Sequence, residues 1–293
     1  MLSILIPIYN NTVFELVQNI HQQCMNCSIE FEIICLDDNS VNQFQLENPK
    51  IKKLTHCFYS ENETNFGRTK TRQILAEKAK FDWVLFLDAD VIPETENFIK
   101  NYISSINETN AVIFGGYKYE KKQPESPTTL RYKYGKEREE KSPEFRSKKP
   151  YQYVFSGNMM IQKKLFLELN YDEKEKFYGM DIYFAYQLFL RKISIHHIDN
   201  SIFHLGLETN EVFFEKSLQS VVSRKRLLAD KIDIEQLNPL LSHYKKIKKY
   251  RLILATKIIF NIFEQFLKRN ILSKNPNLFY FDLYRLGYIC SVK

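Results

Sequence analysis

Apolar and polar positions fall along this chain in blocks. Residues 2–8 form a nearly continuous apolar run that stops at Pro7-Ile8-Tyr9-Asn10. Such a run predicts a strand buried on both faces and ended by a turn. Val13, Leu16, Val17 and Ile20 recur at helical spacing and predict a helix over 13–25. A second apolar run at 31–36 is closed by Asp37-Asp38-Asn39-Ser40, and a polar stretch follows. Next come a helix over 69–79, a third run at 83–87 that stops at Asp88-Ala89-Asp90, a helix over 94–106 and a fourth strand at 111–114. Order resumes with a strand within 153–161, helices over 163–169 and 179–191, a strand at 193–198 and a short segment around His204. From about residue 210 the pattern is helical to the end.

Alternating strands and helices predict an α/β fold, a parallel sheet covered by helices. In such sheets ligands bind outside the carboxyl ends of the strands. Asn10, Asp37, Asp38, Asp88 and Asp90 then converge on one rim. Asp and Asn also favour turns, which accounts for one such strand end better than for three in succession.

Composition narrows the class. Of 293 residues, 44% are apolar and 26% charged, which excludes a disordered chain, a collagen or a coiled coil. Net charge is +7, and segment 241–270 alone holds eight Lys/Arg against one acid, Glu264. The remainder is close to neutral, so no nucleic-acid partner is expected. Five cysteines without a recognisable signal peptide point to a reducing, cytoplasmic compartment. Cys24 and Cys27 form a CxxC, but Cys35 and Cys57 do not supply the matching pair of a zinc site, which favours free thiols. Residues 117–150 carry eleven Lys/Arg, six Glu, four Pro and four Tyr. This predicts a long mobile insertion whose tyrosines stack on sugar rings, or else a merely solvated loop.

Asp88-Ala89-Asp90 places two carboxylates one residue apart after a buried strand. Mg²⁺ or Mn²⁺ takes one or two such carboxylates together with substrate phosphates. Asp181 opens a helix after Tyr178-Gly179-Met180; it reads as a cap, as a general base, or as both. His204 is a core group unless the fold returns it to the Asp90 rim. His196 and His197 read as structural.

Taken in order, these motifs resemble a family 2 glycosyltransferase. The opening Ser3-Ile4-Leu5-Ile6-Pro7-Ile8-Tyr9-Asn10 is similar to that family's first strand and turn. Asp37-Asp38-Asn39-Ser40 is similar to its second strand end, and Asn65-Phe66-Gly67 with Thr71-Arg72-Gln73 to its next segment. Asp88-Ala89-Asp90, Ser156-Gly157-Asn158-Met159 and the stretch from His197 to Glu208 complete the likeness, which covers residues 1–208.

The resemblance implies a GT-A fold: a Rossmann-like, mostly parallel sheet flanked by helices. It implies a catalytic domain over 1–208, with a nucleotide-sugar half at 1–110 and an acceptor half at 111–208, and a C-terminal helical extension over 209–293. It also implies an inverting transfer from a nucleotide-sugar, UDP-sugars favoured, to a hydroxyl of a glycan or lipid-linked acceptor in cell-surface polysaccharide synthesis. The group moved is a hexosyl or N-acetylhexosaminyl unit. Pro7, Tyr9, Asn10, Asp38, Arg72 and Asp88 would bind the donor, and Asp90 and His204 would hold Mn²⁺ or Mg²⁺. Asp181 would be the base. Where the family usually has a Glu-Asp pair, this chain has Met180-Asp181, which keeps open a weakened or inactive, glycan-binding relative. A nucleotidyltransferase is disfavoured because Tyr9-Asn10-Asn11-Thr12 offers no Gly-rich phosphate loop.

Residues 252–267 hold eleven apolar side chains, with Lys257, Asn261, Glu264 and Lys268 forming one polar stripe. With the basic run at 245–251, this helix either lies on the inner face of an anionic membrane or packs on the protein or a dimer partner.

Overall fold

The computed structural model describes every residue except 42, 45, 123, 125, 126, 172–174 and 293. In chain order the elements are β1 (Leu2–Ile8), α1 (Phe14–Asn26), β2 (Phe31–Asp37), β3 (Cys57–Glu61), α2 (Arg68–Lys78), β4 (Trp83–Leu87), β5 (Val91–Pro93) and α3 (Phe98–Ser104). Then follow β6 (Val112–Phe114), β7 (Tyr117–Lys118), α4 (Thr129–Tyr134), α5 (Pro143–Ser147), β8 (Asn158–Gln162), α6 (Lys163–Leu169), α7 (Asp181–Leu190), β9 (Ile195–His197) and β10 (Ile202–His204). The chain ends in α8 (Asn210–Leu228), α9 (Pro239–Lys249), α10 (Ile253–Ile271) and α11 (Leu278–Ser291). They form two compact units: residues 1–118, 141–176 and 188–206 in a sheet unit, and 119–140, 177–187 and 207–293 in a helical unit.

The sheet unit is built on seven strands in the order β3-β2-β1-β4-β8-β6-β9. The first four are parallel, and β8 runs antiparallel to both β4 and β6. Leu2, Ile4, Leu5 and Ile6 are fully buried because β1 is covered on both faces, as its apolar run requires. The chain winds from β1 outward to β3 and then returns to β4 beside β1. This reversal opens a crevice at the carboxyl ends of β1 and β4.

Three differences from the sequence reading have physical causes. β3 lies in the stretch read as polar, because an edge strand buries only alternate side chains and carries no apolar run. The helix expected over 94–106 is shorter, since Glu94 N donates to Ser201 O and a turn fills 95–97 before Phe98. Within 117–150, α4 and α5 replace the expected irregular insertion, apart from Gln123, Glu125 and Ser126, which lie outside the described residues.

A second, three-stranded sheet, β5-β10-β7, stands next in chain order to the first. Between the two sheets the chain passes through 114–117 and 198–202, where the ladder continues as Ile198 N to Phe114 O, Asn200 N to Gly115 O and Ile202 N to Gly116 O. Arg146, 1% exposed, fills this junction. It donates to the carbonyls of Phe114, Gly115, Ile198 and Lys141 at 2.7–3.2 Å and to His197 Nδ1 at 3.2 Å. Asn158 Nδ2 donates to the carbonyls of Gly116 and Asn200, and Asn158 Oδ1 accepts from the Tyr102 hydroxyl. His197 is structural, as expected. Its Nε2 lies 3.1 Å from the Pro150 carbonyl, and burial with the adjacent Arg146 charge lowers its pKa to about 4, so it stays neutral.

In the helical unit α8, α10 and α11 share a core of Phe214, Leu218, Phe260, Leu267, Ile271, Phe281 and Tyr284, with Leu130 of α4. Buried Asn210 joins these parts: its Oδ1 accepts from Leu130 N and its Nδ2 donates to Ser273 O. The polar stripe of α10 turns partly inward. Glu264 accepts from the Tyr284 hydroxyl, and the Lys268 ammonium lies 5.7 Å from the Phe214 ring centre. The opposite arc, Leu254, Ile258, Ile259, Ile262, Phe263 and Phe266, is exposed.

Arg146 donates to four carbonyls, of which Phe114 O and Gly115 O also take a ladder bond, so its loss leaves Ile198 O and Lys141 O without that donor and its cavity unfilled. Arg146→Met is expected to lower stability by about 3 kcal/mol or more, read from the urea unfolding midpoint. A midpoint unchanged from the wild type would exclude Arg146 as the fastener of this junction.

Candidate active site

The strand ends place the predicted rim residues together. β1 and β2 are in register up to Ile8 and Asp37, and the ladder runs one step further as Asp38 N donates to Ile8 O at 2.8 Å. Tyr9 follows with its ring 55% exposed. Asn10 takes a left-handed conformation; its amide donates to Ser40 Oγ and its Oδ1 accepts from Val41 N. Asp37 fixes this turn by accepting from Ser40 N at 2.7 Å.

Asp38 is buried and accepts three hydrogen bonds: from Phe66 N at 2.8 Å, Gly67 N at 2.7 Å and Asn62 Nδ2 at 2.9 Å. Those amides precede α2, so one carboxylate ties the end of β2 to the start of that helix. α2 then presents Arg68 and Arg72, four apart on one face. Both reach Asp88 at the end of β4: Arg72 Nη2 lies 2.5 Å from Asp88 Oδ1, and Arg68 pairs with Oδ2. Burial alone would raise the Asp88 pKa. The two guanidiniums, with the Arg68 hydrogen bond and the His204 charge, instead hold it at about 2. Arg72 is thus placed at the rim as expected. Arg68 was missed, although its spacing from Arg72 was visible in the sequence.

Asp90 lies two residues on, with its side chain 31% exposed. β10 pairs antiparallel with β5, His204 opposite Val91, and Leu205 N donates to Asp90 O at 2.8 Å. This brings His204 Nε2 to 3.7 Å from Asp90 Oδ2. The histidine therefore does return to the Asp90 rim. Its ring meets Tyr117 edge-on at 5.7 Å. Gly206 allows the return, because a Cβ there would fall 1.8 Å from Asp90 Oδ2.

A carboxylate and an imidazole this close suit Mn²⁺ or Mg²⁺ with phosphate and water oxygens completing the shell. Among the described residues no group of three or more His, Cys, Asp or Glu gathers as a metal cluster. In the helical unit, Asp181 stands in the first turn of α7, after buried Met180.

Residues 3–169 match glycosyl transferase family 2, and the chain belongs to that family. Its sheet order and helical cover are those of the GT-A glycosyltransferases. An uncharacterized glycosyltransferase of Haemophilus influenzae is 38% identical over 92 residues, 31% of this chain and 29% of that protein. Among solved structures, the mannosyltransferase PcManGT of Pyrobaculum calidifontis, in complex with GDP-Man and Mn²⁺, aligns at TM-score 0.63 and 12% identity over 99% of this chain and 85% of its own. TarS 1-349 of S. aureus with UDP-GlcNAc aligns at 0.54 and 17% over 98% and 89%. Glucosyl-3-phosphoglycerate synthase of Mycobacterium tuberculosis, with Mn²⁺, UDP and glucosyl-3-phosphoglycerate, aligns at 0.53 and 14% over 77% and 79%.

Because its pKa is depressed from 3.8 to about 2, Asp88 adds stability above its unfolded pKa and loses it as pH falls towards 2. Wild type should exceed Asp88→Asn in unfolding free energy most above about pH 4, with the gap closing towards pH 2. Denaturant titrations at stepped pH read this directly. A gap independent of pH would rule out the ionised pair.

Proposed function

We propose that this protein is a metal-dependent, inverting glycosyltransferase. It moves a hexosyl or N-acetylhexosaminyl group from a nucleotide-sugar, a UDP-sugar by preference, to a hydroxyl of a glycan or lipid-linked acceptor during cell-surface polysaccharide synthesis. The observation that carries this reading is the approach of His204 to Asp90 at the strand-end rim where Tyr9, Asp38 and Asp88 also lie. The nucleotide-sugars, nucleotides and Mn²⁺ in the structures named above support the donor class and the metal.

In this reading the exposed Tyr9 ring stacks on the base, and Asp38 accepts from a ring N–H. Pro7 and Asn10 shape the floor of the pocket, and Arg72 contacts the nucleotide. Asp88 uses lone pairs left over by its arginines to accept from a ribose or sugar hydroxyl. Asp90 and His204 hold Mn²⁺ or Mg²⁺, which when bound offsets the charge gathering on a departing diphosphate. Asp181 takes the proton of the acceptor hydroxyl, and that oxygen bonds to the anomeric carbon as the bond to the diphosphate breaks. A single displacement inverts the configuration.

Asp181→Asn should keep its donor-dependent thermal shift and lose about 10²–10⁴-fold in turnover. A nucleoside diphosphate at one hundred times its dissociation constant with Mn²⁺ should stabilise the wild type by about 2.7 kcal/mol. The metal-dependent part should vanish in Asp90→Ala. Undiminished transfer by the first variant would remove Asp181 as base, and an unchanged shift in the second would remove Asp90 as ligand.

α10 supports placement on an anionic membrane surface. No helix among the described residues is long and apolar enough to cross a membrane. Its outward arc is nonetheless apolar: Leu254 is 69% exposed and Ile262 70%. Lys246, Lys249 and Arg251 are exposed just before it, a charge that suits acidic headgroups and repels a second copy of itself. Ile258→Glu with Ile262→Glu should abolish co-sedimentation with vesicles rich in phosphatidylglycerol. Equal sedimentation of the variant, or a wild-type dimer that the variant disrupts, would overturn the membrane placement.

A further inference from the structure

α8 of the helical unit carries a partly buried cation whose guanidinium Nε is left open. Arg224 lies on α8 one turn after Ser220. Its Nε is sealed from solvent and has no hydrogen-bond partner among the described residues. It forms no ion pair among them either. Burial lowers its pKa, and the ionisable groups whose fields reach it are Tyr134, Arg285 and Asp181.

Its neighbour deepens the imbalance. The Arg285 guanidinium of α11 lies 5.7 Å from the Tyr134 ring centre and 4.5 Å from that of Phe281. It pairs with Asp282, and that carboxylate also takes Arg138 at 2.9 Å. The Arg285 Nε is likewise buried without a partner. Arg138 and Arg285 thus share the Asp282 carboxylate, and Asp181 is the carboxylate whose field reaches Arg224. A third open donor adjoins them: the Ser220 hydroxyl, 6% exposed, finds no partner either. It is pressed against Gly179 (φ +76°), where a Cβ would fall 2.2 Å from its oxygen. Gly179 leads directly into Met180 and Asp181.

A buried donor left without an acceptor is destabilising. A lysine there would shed its proton, whereas arginine stays charged and presents a planar fork suited to a tetrahedral oxyanion. Buried donors left open in this way mark the place of a missing acceptor. We propose that Arg224 and Arg285, with the Ser220 hydroxyl, bind a phosphate group carried by the acceptor close to the hydroxyl that reacts. The inference rests on Asp181 being the base, and it names the acceptor class: a phosphorylated polyol or glycan, or a phosphodiester-linked chain.

The same chemistry is present in the diphosphate of a donor, so the experiment has two arms. Thermal unfolding is followed in inorganic phosphate at constant ionic strength, and separately in UDP with Mn²⁺. The proteins are wild type, Arg224→Gln, Arg285→Gln and the exposed control Lys246→Gln. We expect saturable stabilisation by phosphate in the wild type and in Lys246→Gln, at least tenfold weaker in Arg224→Gln and Arg285→Gln. We expect UDP shifts that are equal in all four. Without phosphate, Arg224→Gln should unfold no lower than the wild type, because a buried Nε donor without an acceptor has been removed. Phosphate binding undiminished in Arg224→Gln would overturn the site. Loss of the UDP shift in that variant would transfer the arginine to the donor and overturn the acceptor assignment. If the glutamine variants fail to fold, non-saturable stabilisation of the wild type by phosphate is itself the refuting result. The phosphate arm reads out even where no donor binds, so failure of this site and failure of the glycosyltransferase reading are separable.

Discussion

The site depends on one buried polar junction. Where the chain leaves the seven-stranded sheet for the three-stranded one, two parallel segments must keep their carbonyls paired while changing sheets. Regular ladder geometry cannot do this alone. Arg146 and Asn158 supply the donors, reaching the carbonyls of Phe114, Gly115, Gly116, Ile198 and Asn200. A guanidinium has five donors in a rigid plane, so one side chain can serve several acceptors that face different ways. The direction of β10 follows from this junction, and with it the approach of His204 to Asp90. The basic segment around 141–149 is therefore part of the scaffold.

The donor end of the sheet is held by a chain of charges. Asp38 anchors the start of α2 through backbone amides, α2 fixes Arg68 and Arg72, and these neutralise Asp88. The Arg72–Asp88 link is buried enough to escape much of the screening that weakens surface pairs, whereas Arg68 is half exposed. The consequence is a division of labour within the D-x-D. Asp88 is locked by arginines and orders the rim, whereas Asp90 remains accessible beside an imidazole. Two carboxylates separated by a single residue thus have different chemistries because their neighbours differ.

Much of this was legible in the sequence, and the omissions share a cause. β1, β2 and β4 announced themselves because strands covered on both faces need unbroken apolar runs. Their polar ends marked the rim, whereas the return of His204 to Asp90 depends on the pairing of β10 with β5, which no local pattern encodes. β3 was hidden because an edge strand exposes Phe58 while burying Cys57 and Tyr59. Arg146 was hidden because a lysine-rich stretch gives no hint that one of its cations lies in the interior. Side-chain type is local information, whereas burial is set by what the rest of the chain brings alongside.

Helix α10 carries that distinction furthest. Its periodicity revealed an apolar arc and a polar stripe, and the ordinary rule would turn the arc inward. The neighbouring aromatic residues reverse the choice: Tyr284 offers a hydroxyl to Glu264, and Phe214 offers a ring face to Lys268. Phe260, Leu267 and Ile271 alone suffice to seat the helix on its core. The remaining apolar side chains are left facing outward in a continuous arc, just after the exposed Lys246, Lys249 and Arg251. An outward apolar face of this size is unfavourable in water, and that cost is the physical ground of the membrane placement proposed for it.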